Sequence, residues 1–129
     1  MYGPPGTIYI YLSYGIHWCM NFVTGREGDP QGVLLRGGVV VEGTDTVKRR
    51  RGRDDHLSDG PGKLGQALGI DGDLSGVMLN EGSVSVSGLN TVRGAFDATP
   101  RIGISSAKDR PWRFVAIGGR ERASHLEPR

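Results

Sequence analysis

Residues 7–23 constrain the fold of this chain more than any other stretch. Thr7-Ile8-Tyr9-Ile10-Tyr11-Leu12 is β-branched and aromatic, with aliphatic residues at even positions and both tyrosines at odd ones. That period of two predicts a strand with one aliphatic face and one tyrosine face. Ser13-Tyr14-Gly15 breaks the pattern, and Gly15 suits a positive φ. Ile16 to Val23 then resumes an extended apolar run. Two strands about a tight turn make a hairpin, with Tyr14 expected at its tip.

The rest of the chain reads as short elements between turns. Thr24 to Gln31 is a polar loop, and Gly32 to Glu42 predicts a further strand with a glycine bulge in its middle. Thr44 or Asp45 is expected to cap a short helix that runs into Lys48-Arg49-Arg50-Arg51-Gly52-Arg53. Gly60 to Gly69 predicts a second helix, with Pro61 at its first position, Leu64, Ala67 and Leu68 on one face, and Gly69 closing it. The Ser/Val alternation of Ser83 to Ser87 suggests a half-buried strand, and Arg101–Ile104 and Trp112–Ile117 suggest two more. The polar tail from Gly118 is expected to fray. With no repeat and no dividing linker, residues 1–129 are expected to form a single α+β domain with an antiparallel sheet and short helices.

Composition excludes several classes. Apolar residues at 36% and charged residues at 23% of 129 positions rule out a fully disordered chain. The 22 Gly and 7 Pro follow no three-residue period, which excludes collagen and favours many tight turns. No apolar run approaches the roughly 20 residues that cross a bilayer, so no membrane partner is expected. Met1 to Thr7 has no basic residue ahead of an apolar stretch, which argues against a secretory signal. Cys19, the one cysteine, cannot form an internal disulfide, so a reducing, cytoplasmic compartment is expected. Met1–Arg53 carries seven Lys and Arg against four Asp and Glu, while Asp54–Arg129 carries nine against ten. The basic run at Lys48–Arg53 admits two readings, a helix end favoured by the dipole or a phosphate-contacting patch.

Most motif chemistry fails on inspection. Gly3-Pro4-Pro5-Gly6-Thr7 imitates a nucleotide-binding P-loop, but Ile8, Tyr9 and Ile10 stand where Gly, Lys and Ser/Thr are needed. Asp71, Asp73, Ser75 and Gly76 resemble the start of a calcium loop, yet Gly82 occupies the position of the bidentate Glu. His17, His56 and His125 are scattered, so no metal is expected. A G-x-S-x-G signature is missing, and Cys19 in an apolar strand reads as a buried thiol. What remains is Tyr9, Tyr11 and Tyr14, either an aromatic sheet face or a platform on which bases stack. Asn21 on the partner strand could bond a base edge, while Arg36, Lys63 and the amides of Gly60-Pro61-Gly62 could hold phosphates.

Gly6 to Gly15, continuing to Cys19-Met20-Asn21, resembles the alkyladenine (3-methyladenine) DNA glycosylase family. So do Val33-Leu34-Leu35-Arg36, Gly60-Pro61-Gly62-Lys63-Leu64 with Gln66-Ala67-Leu68, Pro100 to Ile104, and Pro111 to Phe114. These five blocks in order span about Gly6 to Phe114. The resemblance implies a curved antiparallel sheet and cofactor-free hydrolysis of the N-glycosidic bond of alkylated purines. The implied partner is double-stranded DNA carrying alkylated or deaminated purines, bound by a monomer. Tyr14 matches the tyrosine that intercalates where the damaged nucleotide leaves the stack. Tyr11 and Asn21 match base-pocket residues, the first stacking on the flipped base and the second crowding the amino group of normal guanine. Arg36 and Lys63 match DNA-contacting positions. The family's general-base Glu precedes the hairpin, and this chain begins a few residues before it. The chain is therefore expected to be an N-terminally truncated, incomplete family domain with no assigned catalytic carboxylate. A catalytically inactive DNA-binding remnant and an unrelated small α+β domain are the alternative expectations.

Overall fold

The computed structural model describes residues 3–87, 96–100, 110–111 and 113–116. Strands β1 (Ile8–Ser13), β2 (His17–Val23) and β3 (Gly32–Leu34) form an antiparallel sheet in the order β1-β2-β3. Helices α1 (Thr44–Arg51) and α2 (Pro61–Leu68) follow, then a short 3-10 turn at Gly72–Leu74. A second antiparallel sheet pairs β4 (Phe96–Thr99) with β5 (Arg113–Ala116). The architecture is α+β, as expected; among the described residues there are two small sheets in place of one and no closed barrel.

The hairpin follows the sequence pattern. Ile8 pairs with Phe22 and Ile10 with Met20, so the even positions share one face. Ile8, Ile10, Met20 and Ile70 form the main core there, with Trp18, Phe22, Leu35, Leu74 and Val77 packed around them. The outer edge of β1 is covered by the chain after the 3-10 turn. Ile8 N–H donates to Val77 O at 2.8 Å and Ile10 N–H to the Ser75 hydroxyl at 3.1 Å, so edge amides do not face water unpaired. The turn is a type I′: Tyr14 has φ 52 and Gly15 φ 71, and Ile16 N–H closes it on Ser13 O at 3.0 Å.

A second small core of Val47, Leu57 and Ala67 joins the two helices. Helix α2 begins at Pro61 and ends on Gly69, as its sequence predicts. Its packing face differs from expectation, because Leu68 is 47% exposed and Gly65 is buried instead. Gly65 lies directly against the Trp18 carbonyl of β2, an approach that any Cβ would block. The N-cap of α1 is Gly43, with no side-chain cap from Thr44 or Asp45. The basic run closes α1, and two of its arginines tie the helices together. Arg50 donates to Ala67 O at 2.9 Å, and Arg51 bonds the Gln66 side chain and His56 O. The helix-end reading thus holds for them.

Two further expectations are corrected. The strand predicted to Glu42 ends at Leu34, because the backbone beyond turns to the other core. Gly38 N–H donates to Ser58 O at 3.1 Å, and Gly38 O accepts from the Ser58 hydroxyl at 2.6 Å. Ser83 to Ser87 forms no strand; Val84 and Val86 are half-buried, but Asn80 supplies the local bonds, its side chain accepting from Val86 N–H at 2.8 Å. The segment from Asp71 is a turn, the reading its sequence favoured over a calcium loop, and the Asp71 carboxylate accepts from Asp73 N–H at 2.9 Å. The Arg101–Ile104 strand, Trp112, Ile117 and the tail from Gly118 lie outside the described residues.

Candidate functional site

The odd-numbered face of the hairpin gathers the polar and aromatic groups. Tyr9 pairs with Asn21 and Tyr11 with Cys19 across the strands, and the two tyrosine rings lie 6.2 Å apart at 32°. Asn21 is only 7% exposed, and its amide nitrogen donates to Tyr9 O at 3.3 Å, which orients the side chain on this face. Tyr11 is 37% exposed. Arg36, two residues beyond β3, acts electrostatically on both Tyr11 and Cys19. Burial raises the Tyr11 phenol above its ordinary value, reinforced by Cys19 and Tyr9 and opposed by Arg36. Burial likewise pushes the Cys19 thiol up, against a hydrogen bond from Tyr11 and the charge of Arg36. Among the described residues, the groups that shift this pair include no carboxylate.

Tyr14 stands apart from that face. At 89% exposure it projects from the turn, flanked by Ile16 at 71%. A large aromatic residue at positive φ is uncommon, and the hydrogen-bonded turn between two paired strands holds it there. The tip end of β2 meets α2. A Cβ at Gly62 would fall 2.9 Å from the His17 ring, so the first turn of α2, which bears Lys63, rests beside the strand that follows the tip. Lys63 is engaged, its ammonium 3.2 Å from the Asp59 carboxylate, whose other oxygen is 2.7 Å from His56 Nδ1.

The structure thus brings Tyr11, Asn21 and Arg36 to one surface, and sets Tyr14 and Lys63 at its margins through the turn and α2. Tyr9 shares this face with Tyr11, as their odd positions in the sequence predicted. Asp59 and His56 were missed; the spacing of four between Asp59 and Lys63 was their only trace. An open cavity of about 550 Å³ lies between Pro4, Thr7, Tyr9, Val23, Ser75 and Met78, and of the tyrosine-face residues only Tyr9 borders it. Among the described residues, no three His, Cys, Asp or Glu side chains come together as a metal site would require. Nor is any described helix long and apolar enough to cross a membrane.

The fold and site define an α+β domain with two tilted tyrosines, a buried amide and a guanidinium at one sheet face, and an exposed tyrosine at the adjoining turn. Comparison with known proteins narrows that class. A sequence model described as methylpurine-DNA glycosylase matches residues 1–120, and the chain belongs to this family. It is 43% identical over 122 residues to a Rhodopseudomonas palustris (strain BisB18) protein named "Putative 3-methyladenine DNA glycosylase", covering 93% of this chain and 60% of the relative. Relatives bearing the same name in Methanoculleus marisnigri and Cutibacterium acnes are 44% and 42% identical; the matches cover 93% and 88% of this chain and 66% and 64% of theirs. The chain spans less than two thirds of the length of each. The family match removes the reading as an unrelated small α+β domain.

Proposed function

We propose that this chain is the base-recognising part of a DNA glycosylase that extrudes alkylated or deaminated purines from duplex DNA and releases them by hydrolysis. The observation that carries this reading is the placement of an exposed Tyr14 at the tip of the hairpin whose adjoining face holds Tyr11 beside Asn21. Tyr14 fills the gap left in the stack, which offsets part of the few kcal/mol that flipping costs. Tyr11 offers its ring to the flipped base, a contact worth about 1–3 kcal/mol. Its electron-rich face attracts a cationic alkylated purine more than a neutral one. Asn21, held by Tyr9 O, presents a fixed polar edge that crowds the exocyclic amino group of guanine. Arg36 and Lys63 hold the flanking backbone. The partner is double-stranded DNA bound by one copy of this domain, residues 1–129, in the compartment that holds the chromosome, and the reading requires no cofactor.

Hydrolysis needs a carboxylate to activate water, and none among the described residues is assigned that role. The test is release of free base from a duplex carrying one hypoxanthine or ethenoadenine, followed chromatographically. Lesion-dependent release, reduced by Tyr11→Ala, supports the proposal. Lesion-selective binding without release selects a recognition protein that does not hydrolyse. Neither release nor lesion-selective binding refutes both readings.

A further inference from the structure

The loop between α1 and α2 holds an anion between two basic groups. The Asp59 carboxylate lies 2.7 Å from His56 Nδ1 through one oxygen and 3.2 Å from Lys63 Nζ through the other. All three side chains are substantially exposed, with 57%, 41% and 41% of the His56, Lys63 and Asp59 side chains open to solvent. The His56 contact and the Lys63 ammonium hold Asp59 below the usual carboxylate range, outweighing partial burial. The geometry is pinned from beneath. Leu57 is fully buried, Ser58 is bonded in both directions to Gly38, and Arg51 donates to His56 O at 3.2 Å. His56 is held at φ 49, a region that a non-glycine residue enters only under such constraint. The carboxylate is therefore presented to Lys63 at little further entropic cost, unlike a typical surface pair of two mobile side chains.

We propose that Asp59 is an internal competitor for the DNA backbone. It occupies Lys63 and His56 as a phosphate would, so a duplex reaches Lys63 only by displacing it. This rests on the reading of Lys63 as a phosphate contact and adds a device for specificity. Backbone contacts are independent of sequence and lesion, and an intramolecular rival lowers them without touching the base-recognising face. The binding that remains then depends more on Tyr11, Tyr14 and Asn21, which act only at a flipped base.

The experiment is a fluorescence titration of intact and abasic duplexes with the full chain, using wild type, Asp59→Asn, Lys63→Ala and the double variant, at two salt concentrations. Asp59→Asn is expected to tighten binding to intact duplex about two- to fivefold, the range of an exposed ion pair, and to steepen the salt slope by up to roughly one ion. In the Lys63→Ala background the same change should shift affinity by less than about 1.5-fold, because the rivalry has lost its object. Equal tightening in both backgrounds is general electrostatics and overturns the proposal; weaker binding by Asp59→Asn overturns it as well. Asp59→Ser, which keeps a hydroxyl acceptor for His56, is the second variant should Asp59→Asn melt early, and the same outcomes apply. If wild type binds neither duplex, the reading of a DNA-binding surface fails and this proposal with it. Duplex binding with additive variants removes the competitor alone.

Discussion

Gly65→Ala isolates the contact on which the margin of the site depends. Helix α2 carries Lys63 and approaches β2 so closely that a methyl group at Gly65 would sit 3.2 Å from the Trp18 carbonyl carbon and well inside contact of its oxygen. Ile70 Cδ1, at 3.5 Å, closes the other side. Ordinary carbon contacts lie at about 3.5–4.0 Å, and the obstacle is backbone, so no rotamer change relieves it. Overpacking of this kind costs roughly 1–3 kcal/mol, and the upper end applies when the backbone itself must move. The better helix propensity of alanine returns about 1 kcal/mol. The net expectation is a loss of about 2 kcal/mol, which at roughly 4 °C per kcal/mol for a chain of this size lowers Tm by about 8 °C. Thermal melts followed by circular dichroism measure it. Gly38→Ala is the control, since a Cβ there would meet nothing within 4 Å beyond its chain neighbours, and it should stay within about 0.5 kcal/mol of wild type. A Gly65→Ala chain that melts at or above wild type would refute the packing of α2 on β2.

Further expectations follow from the same geometry. Tyr14→Ala should weaken binding to abasic or lesion-bearing duplex by about 1–3 kcal/mol more than binding to intact duplex, with little change in Tm, because the side chain is 89% exposed. Equal losses on both duplexes would remove Tyr14 as a wedge. Arg50→Ala should lower stability by about 1–2 kcal/mol in denaturant titrations, through its bond to Ala67 O, and leave the salt slope of DNA binding unchanged; a slope reduced by one ion would make Arg50 a phosphate contact instead. Tyr11 and Cys19 have raised folded-state pKa values, so their stability contribution is intact below the ordinary values of 10.0 and 9.0 and is lost as pH rises through the folded ones. Stability should decline in the alkaline range, and Cys19 should resist thiol reagents at pH 8; rapid native-state modification there would contradict its burial. Asp59 has the opposite sign, its contribution present above the ordinary 3.8 and lost as pH falls through its lowered value, so Asp59→Asn should flatten the acid limb slightly.

How far the sequence reached depended on whether a signal was local. The hairpin was legible because alternation and the Tyr14-Gly15 turn act within 17 residues. Helix α2 was legible from Pro61 and Gly69, but its buried face was not, since Gly65 packs through backbone contact and carries no hydrophobic signal. Val39 to Val41 has every local mark of a strand, yet the chain leaves the sheet after Leu34 because Gly38 finds both its backbone partners in Ser58, twenty residues on. Val84 and Val86 alternate correctly, but among the described residues no strand pairs with them, and alternation alone does not report a partner. Strand β4 at Phe96–Thr99 went unpredicted, since Asp97 and Ala98 weaken its β signal. In the site, aromatic spacing pointed to Tyr11 and Tyr14, and strand register placed Asn21 opposite Tyr9. The Asp59 link to His56 depends on a loop conformation at positive φ, which composition does not encode.

Permanganate oxidation of the base opposite a lesion tests the central claim most directly, because it reports extrusion whether or not hydrolysis follows. A duplex with ethenoadenine opposite thymine is treated alone, with the wild-type chain, and with Tyr14→Ala. The account predicts that wild type makes that thymine strongly reactive while its neighbours stay protected, and that Tyr14→Ala abolishes most of the effect. A thymine no more reactive in the saturated wild-type complex than in free duplex would contradict it.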